Sequence, residues 1–162
     1  MDVFLSNPEA TDEFAAHFAR AQAKPSVIWL EGDLGAGKSA FSRAYLRELG
    51  VQGSIKSPTY TIAELYSLPD SGLAAHLDLY RLAGPEDLEF LGLPDRSALQ
   101  IILIEWPAQG AIALGEPDVQ IELSIHGDGR LARITAMDAE AGSWLSRLQK
   151  FASAPRDLSA KV

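Results

Sequence analysis

Eight consecutive residues in the first third of the chain have the types and spacing of a phosphate-binding loop. They read Gly32-Asp33-Leu34-Gly35-Ala36-Gly37-Lys38-Ser39 and fit the pattern G-x-x-x-x-G-K-[ST]. Glycines let the backbone turn tightly and point successive N–H groups inward, which makes a concave anion site. The pattern places this site at a helix N-terminus, where the helix dipole favours negative charge. In such a loop the lysine reaches the β- and γ-phosphates of a nucleotide, and the hydroxyl of Ser39 ligates Mg²⁺.

Two carboxylates could complete a site for hydrolysis beside this loop. A phosphate-binding loop that supports hydrolysis needs an acid at the end of a neighbouring strand, to hold Mg²⁺ or its water. The apolar run 101–104 leads directly into Glu105, and the segment 74–81 places Asp78 within a second predicted strand. The alternative for either residue is a strand-end carboxylate that faces solvent. With a phosphate loop already present, we predict that both belong to the site.

The remaining polar residues carry less information. The segment 56–61 has small hydroxyl residues around a proline and could close over a γ-phosphate, as switch segments do. Its composition alone favours a polar turn before a strand. The histidines His17, His76 and His126 are scattered and lack the spacing of metal ligands. They therefore predict no zinc site.

Hydrophobic periodicity predicts the elements that must position these residues. Apolar residues at helical spacing indicate helices, and short apolar or β-branched runs indicate strands. Strict alternation of apolar and polar residues indicates a strand with one solvent-exposed face. Helices are predicted at 8–22, at 38–49, from Pro85, and around Trp144, Leu148 and Phe151; strands are predicted at 26–31, 59–66, 73–82, 100–104, 119–125 and 131–137.

Buried strands that alternate with helices indicate an α/β domain, with a largely parallel central sheet flanked by helices. The last two strands are separated by the turn 127–129 and predict a C-terminal antiparallel hairpin. A chain of 162 residues has the usual size of one domain. We therefore expect one phosphate-loop domain over residues 1–154 and a loose tail over 155–162.

Composition and charge exclude several classes of protein. Apolar residues make up 47% of the chain and charged residues 22%, which is ordinary for a globular domain. The net charge of −8 does not attract a nucleic-acid backbone, so independent tight binding to nucleic acid is not expected. The absence of cysteine excludes disulfides, thiolate metal sites and cysteine nucleophiles. The first residues lack a secretory pattern, and no apolar run approaches the ~20 residues that span a bilayer, so we expect a cytoplasmic protein without membrane contact.

Four motifs together resemble the TsaE (YjeE) family, bacterial ATPases needed to make threonylcarbamoyladenosine in tRNA. The similarity covers about residues 8–137, and the motifs have the order and spacing of the family. They are the loop 32–39, Ser57-Pro58-Thr59-Tyr60-Thr61, His76-Leu77-Asp78-Leu79-Tyr80-Arg81 and Glu105-Trp106-Pro107. The resemblance implies a small P-loop fold, binding of ATP and Mg²⁺, and slow hydrolysis to ADP. It also implies that the protein acts on a complex of TsaD and TsaB, which would hold the tRNA.

The resemblance further implies roles for individual residues. Ser39 and Glu105 correspond to the Mg²⁺ ligands of the family, and Lys38, Asp78 and Glu105 would serve hydrolysis. The nucleotide would be enclosed by the phosphate loop, the switch-like segment, the N-terminal segment and the late hairpin turn. The residues implied to hold it are Pro8, Thr11, Asp33, Leu34, Gly35, Ala36, Gly37, Lys38, Ser39, Ala40, Thr59, Thr61, Trp106, Gly129 and Arg130.

Two other functional classes remain open. A small-molecule P-loop kinase needs an acceptor pocket and usually an arginine-bearing lid. Arg43, Arg81 and Arg96 are available for a lid, but no arginine-rich segment stands out. A nucleotide-binding module without hydrolysis would be favoured if Glu105 pointed away from the phosphates. The preference for adenine over guanine comes from the resemblance alone.

Overall fold

The fold is built on a seven-stranded sheet, seen in a computed structural model that describes residues 1–22 and 25–152. The predicted tail at 155–162 lies outside the described residues. The strands are β1 (Asp2–Leu5), β2 (Ser26–Glu31), β3 (Ala63–Ser67), β4 (Leu73–Asp78), β5 (Leu99–Glu105), β6 (Val119–His126) and β7 (Gly129–Ala136). The α-helices of the described residues are α1 (Pro8–Ala21), α2 (Lys38–Glu48) and α3 (Ala139–Ala152), and short 3-10 turns, including Pro85–Leu91, occupy several connections.

The sheet is parallel at its centre and antiparallel at both sides. The strand order is β1-β7-β6-β2-β5-β4-β3, and β6, β2, β5 and β4 pair in parallel. The pairs β1–β7, β7–β6 and β4–β3 are antiparallel. The predicted α/β class and the C-terminal hairpin are confirmed. The expectation of a largely parallel sheet holds only for the four central strands.

Two strand predictions need correction, and one strand of the sheet was not predicted. The segment predicted as a strand from 59 forms a turn first, closed by the hydrogen bond from the N–H of Ile62 to the carbonyl of Pro58, and β3 begins at Ala63. The next strand ends at Asp78 because the carboxylate of Asp78 accepts a hydrogen bond from the N–H of Tyr80 and so starts a 3-10 turn. Strand β1 was not predicted, since four residues of mixed polarity carry little periodicity. It forms by pairing with β7.

Side-chain alternation gives the central strands two buried faces. Ile28 and Leu30 of β2 and Leu103 of β5 pack under the helices, together with aromatic residues of α1, α2 and α3. Val27 and Ile104 belong to the opposite cluster, which the connections after β4 and β5 help to cover. Because side chains alternate along a strand, residues 76 and 78 of β4 and residue 105 of β5 all lie on the helix side of the sheet.

Among the described residues, no helix combines the length and the apolar character needed to cross a bilayer.

Candidate functional site

Residues 32–37 form the loop that joins the central strand β2 to α2. A Cβ at Gly32 would overlap the carbonyl oxygen of Leu123 on β6, and the φ of Gly32 is +130°. Gly35 and Gly37 have φ values of +78° and +110°, in the region that side-chain-bearing residues rarely adopt. The shape of the loop therefore requires glycine at these three positions, of which the sequence pattern fixes Gly32 and Gly37.

The other loop residues differ in what they expose. The side chain of Ala36 is buried, and its N–H donates to the carbonyl of Asp33 at 3.1 Å. The side chain of Leu34 projects into solvent and is 82% exposed. The loop thus has one internal backbone bond that stabilises its turn and an apolar tip on its outer side.

Lys38, the first residue of α2, is folded back over this loop. Its side chain is buried, and its Nζ donates to the carbonyl oxygens of Gly32 at 2.6 Å and Asp33 at 2.9 Å. The ammonium group also lies 4.1 Å from the centroid of the Trp106 ring. These contacts pair the cation with acceptors and hold it at the mouth of the loop.

Burial and the nearby carboxylates have opposite effects on the charged form of Lys38. Burial lowers the pKa of Lys38, because it removes water from the charged form. The carboxylates of Glu105, Asp78 and Asp33 oppose that shift by their negative charge. A polyphosphate placed in the loop would add negative charge beside Lys38 and would stabilise its charged form further.

Ser39 and Glu105 meet although they are 66 residues apart in the chain. The hydroxyl of Ser39 donates to Oε2 of Glu105 at 2.9 Å, and the Glu105 side chain is buried. The contact follows from topology, because β2 and β5 are parallel neighbours and their carboxyl ends share one edge of the sheet. Glu105 ends β5 beside the loop that follows β2, so its side chain reaches the start of α2.

This pair of oxygens fits a magnesium ion. Hydroxyl and carboxylate oxygens are hard ligands, which Mg²⁺ prefers, and adjacent ligands of an octahedral ion at about 2.1 Å lie about 3 Å apart. The 2.9 Å between Oγ of Ser39 and Oε2 of Glu105 agrees with that spacing. No group of three His, Cys, Asp or Glu residues able to hold a metal occurs in the described part of the chain. Phosphate oxygens and water would therefore have to complete the coordination, as is usual for Mg²⁺ with nucleotides.

Asp78 lies next to Glu105 at the same edge of the sheet. The two residues are register partners in the parallel pair β4–β5, and Asp78 is buried. One of its oxygens, Oδ1, accepts from the N–H of Tyr80 at 3.1 Å, and its backbone N–H donates to the carbonyl of Ile62 at 2.9 Å. The structure therefore brings Asp78, Glu105, Ser39 and Lys38 together as the sequence analysis expected.

His76 also belongs to this group, although the sequence analysis assigned it no role. It precedes Asp78 by two residues on the same face of β4, and its ring is completely buried. Its Nε2 lies 2.7 Å from Oε1 of Glu105. The signal that could have found it is the spacing of two in His76-Leu77-Asp78, which puts both polar side chains on one face of a buried strand.

The hydroxyl groups of the switch-like segment bond within their own segment. The hydroxyls of Ser57 and Thr59 are 2.8 Å apart and hydrogen-bonded, and Thr61 donates to Oε1 of Glu64 at 2.8 Å. The segment is held near Asp78 through the carbonyl of Ile62. That Thr59 and Thr61 contact a nucleotide stays a prediction.

Trp106 immediately follows β5, and its ring lies beside the ammonium group of Lys38. Its φ of +57° turns the chain sharply at the end of β5, which directs the indole toward the ammonium group of Lys38. The ring of Tyr80 packs against the indole, with centroids 4.9 Å apart.

The residues expected near the adenine end line one cleft with the phosphate loop. Strand pairing sets Leu5 of β1 opposite Arg130 of β7, so that the start of α1 lies beside the hairpin turn. Arg130 donates to the carbonyl oxygens of Gly129 at 2.8 Å and Gly35 at 3.3 Å, which ties the hairpin to the loop. The cleft has a volume of about 260 Å³ and is lined by Leu5, Asn7, Pro8, Thr11, Gly35, Gly37, Ala40, Asp128, Gly129 and Arg130.

Comparison with known proteins agrees with the four motifs. The family model described as "Threonylcarbamoyl adenosine biosynthesis protein TsaE" matches residues 5–133. A Haemophilus influenzae protein named "tRNA threonylcarbamoyladenosine biosynthesis protein TsaE" is 42% identical over 114 residues, which are 70% of this chain and 72% of that protein. A Bacillus subtilis protein of the same name is 38% identical over 125 residues, 75% of this chain and 76% of that protein.

A solved structure resembles this fold over nearly its whole length. The crystal structure of YdiB from Bacillus subtilis superposes with a TM-score of 0.70 at 30% sequence identity, and covers 94% of this chain and 95% of its own. The match of the family model to most of the chain and the similarity to these relatives lead to one conclusion: this chain belongs to the TsaE family.

Proposed function

We propose that this protein binds Mg-ATP at the loop 32–39 and hydrolyses it slowly, in the biosynthesis of threonylcarbamoyladenosine in tRNA. The observation that carries the proposal is the contact between Ser39 and Glu105 beside the buried ammonium group of Lys38. Each of these groups has a function in phosphoryl transfer, and parallel strand order brings them to one point. The names of the relatives supply the biosynthetic context.

Each residue then has a definite task. Lys38 exchanges the carbonyl oxygens of Gly32 and Asp33 for phosphate oxygens, while the loop N–H groups and the start of α2 hold the negative charge. Ser39 and Glu105 hold Mg²⁺ directly or through water. When bound, the metal ion neutralises charge that develops on the β- and γ-phosphates.

Hydrolysis requires a water molecule in line with the bond to the γ-phosphate. Asp78 is suited to orient that water, since it lies beside Glu105. In the contacts described above, its Oδ1 accepts a hydrogen bond from Tyr80, which leaves Oδ2 to face the water.

Fast P-loop hydrolases add an arginine finger. Here Arg130 is bonded to the carbonyls of Gly129 and Gly35, and Arg81 lies over the Tyr60 ring at 4.7 Å. We therefore expect slow turnover by the protein alone.

Binding measured by calorimetry tests the first step. We expect ATP and ADP to bind, and Mg²⁺ to strengthen the binding of ATP, because the Ser39–Glu105 pair needs phosphate oxygens to complete the metal shell. GTP in parallel measures the base preference. Absence of binding for every nucleotide at millimolar concentration would contradict the proposal.

The competing classes have less support from the geometry. A binding module without hydrolysis would suit a Glu105 that faced away from the loop, whereas Glu105 contacts Ser39. A kinase would need a cluster of arginines over a second pocket. Arg96 instead donates to the carbonyl of Leu99 at 3.1 Å, and Arg81 stacks on Tyr60.

The proposed action on a TsaD–TsaB complex gives a second prediction. We expect a mixture of this protein, TsaD, TsaB and ATP to elute from size exclusion earlier than TsaD–TsaB alone. Leu34 and Tyr60, each more than four-fifths exposed on the loops around the site, offer apolar contact area for such a partner. The control is tRNA with this protein alone, which should show no mobility shift because the chain has a net charge of −8. Unchanged elution with ATP, with ADP and without nucleotide would count against the partnership.

A further inference from the structure

We propose that His76 is a positioning residue for Glu105, and that its hydrogen bond sets the affinity of the Ser39–Glu105 site for Mg²⁺. The inference rests on the proposed function and extends it by one residue, which the sequence analysis had set aside. It concerns the carboxylate oxygen of Glu105 that the Ser39 hydroxyl does not contact.

The two oxygens of Glu105 have separate partners. Oε2 accepts from the Ser39 hydroxyl at 2.9 Å, and Oε1 lies 2.7 Å from Nε2 of His76. His76 reaches Glu105 because its register partner on β5 is Leu103, two residues earlier on the same face. Bonds at both oxygens restrict rotation of the carboxylate plane, so that Oε2 stays directed at the start of α2. Partners of this kind orient ligating carboxylates in metal sites.

The surroundings of the imidazole indicate which nitrogen carries the proton. His76 is completely buried, and its Nδ1 has no hydrogen-bond partner among the described residues. A neutral imidazole has one N–H and one bare nitrogen. A proton on Nδ1 would leave a buried donor unpaired and would set the bare Nε2 against a carboxylate oxygen. A proton on Nε2 instead donates to Oε1 of Glu105 and leaves only an acceptor unpaired. His76 is therefore the donor and Glu105 the acceptor.

A purely structural role makes different predictions. A buried His76–Glu105 pair that served only to join β4 to β5 would change the stability of the fold when broken. It would weaken nucleotide binding to the same degree with and without Mg²⁺. If His76 positions Glu105, its loss reduces the gain in ATP affinity that Mg²⁺ provides. The ATP affinity without Mg²⁺ stays the same, because the hydrogen bonds of Lys38 described above do not involve His76.

The test compares His76→Leu and His76→Gln by calorimetry with ATP, in a series of Mg²⁺ concentrations and in EDTA. We expect His76→Leu to weaken the apparent Mg²⁺ affinity by about 10- to 100-fold, the usual effect of losing an outer-shell partner, with unchanged ATP affinity in EDTA. The glutamine side chain places an amide N–H close to the position of Nε2, so His76→Gln should retain most of the Mg²⁺ affinity. Wild-type Mg²⁺ affinity in His76→Leu would overturn the proposal.

A double variant tests whether His76 acts through Glu105. If it does, Glu105→Gln and the combination of Glu105→Gln with His76→Leu have the same residual Mg²⁺ dependence; additive losses would overturn the proposal. Should His76→Leu fail to fold by circular dichroism, His76→Gln and His76→Asn replace it. The shorter asparagine cannot reach Oε1, so equal Mg²⁺ affinity in these two variants would also be decisive against the role. A wild-type protein that binds no nucleotide refutes the proposed function instead.

Discussion

Lys38→Ala is expected to weaken ATP binding by about 100-fold or more, to the point that calorimetry detects none. Charge-assisted hydrogen bonds contribute about 1.5–3 kcal/mol each, so the loss of two from one ammonium group to phosphate oxygens exceeds the ~2.8 kcal/mol that corresponds to 100-fold in Kd. The fold should survive the change. Burial lowers the pKa of Lys38, which means that folding disfavours its charged form, and the alanine variant does not have to bury that charge.

The matched control for Lys38→Ala is Arg20→Ala. Both variants remove one positive charge, but Arg20 is a surface residue that pairs with Glu48 at the opposite end of α2 from Lys38. Exposed pairs contribute about 0–1 kcal/mol to stability, and the pair is remote from the loop, so ATP affinity should remain at the wild-type level. Retained micromolar affinity in Lys38→Ala would show that the loop does not hold the phosphates.

Glu105→Gln is expected to lose Mg²⁺-dependent ATP hydrolysis by about 100-fold or more, since a correctly held metal ion supplies several kcal/mol of transition-state stabilisation. Glutamine preserves the size of the side chain and can still bond to Ser39 and His76. Glu105→Ala would leave those two buried groups unpaired, at a cost of about 1–3 kcal/mol in stability. A loss of activity in that variant could then come from unfolding and not from loss of the metal ligand. ATP affinity in EDTA should change little in Glu105→Gln.

Phosphate release measured over a range of Mg²⁺ concentrations checks this result. Glu122→Gln is the control, because Glu122 is a half-exposed residue on β6 whose described partner is Arg133. It makes the same chemical change outside the site and should keep wild-type turnover. Wild-type turnover in Glu105→Gln would remove Glu105 from the site and would leave Asp78 as the remaining candidate beside the loop.

The parts of the fold that were predictable from sequence are those with local causes. The loop conformation depends on Gly32, Gly35 and Gly37, whose φ values only glycine adopts readily. The helices α1 and α2 and the buried strand β2 follow from periodicity and end residues. The errors arose where a side chain or a distant strand overrode the local pattern. The carboxylate of Asp78 accepts a hydrogen bond from the N–H of Tyr80, which ends β4. Strand β1 forms because it pairs with the edge of β7.

The amino-acid sequence alone was enough to predict a phosphate-binding loop with its lysine, and a carboxylate on each of two strands, because each of these predictions depends on residues close together in the chain. The order and spacing of four such motifs carried the family resemblance. The contacts between particular side-chain atoms in the site depended on the tertiary structure. Glu105 reaches both Ser39 and His76 because β5 lies between β2 and β4, and strand order is set by burial of the whole sheet rather than by any local pattern. The cleft between α1, the loop and the hairpin has the same origin, since it requires β1 to pair with β7 across more than a hundred residues.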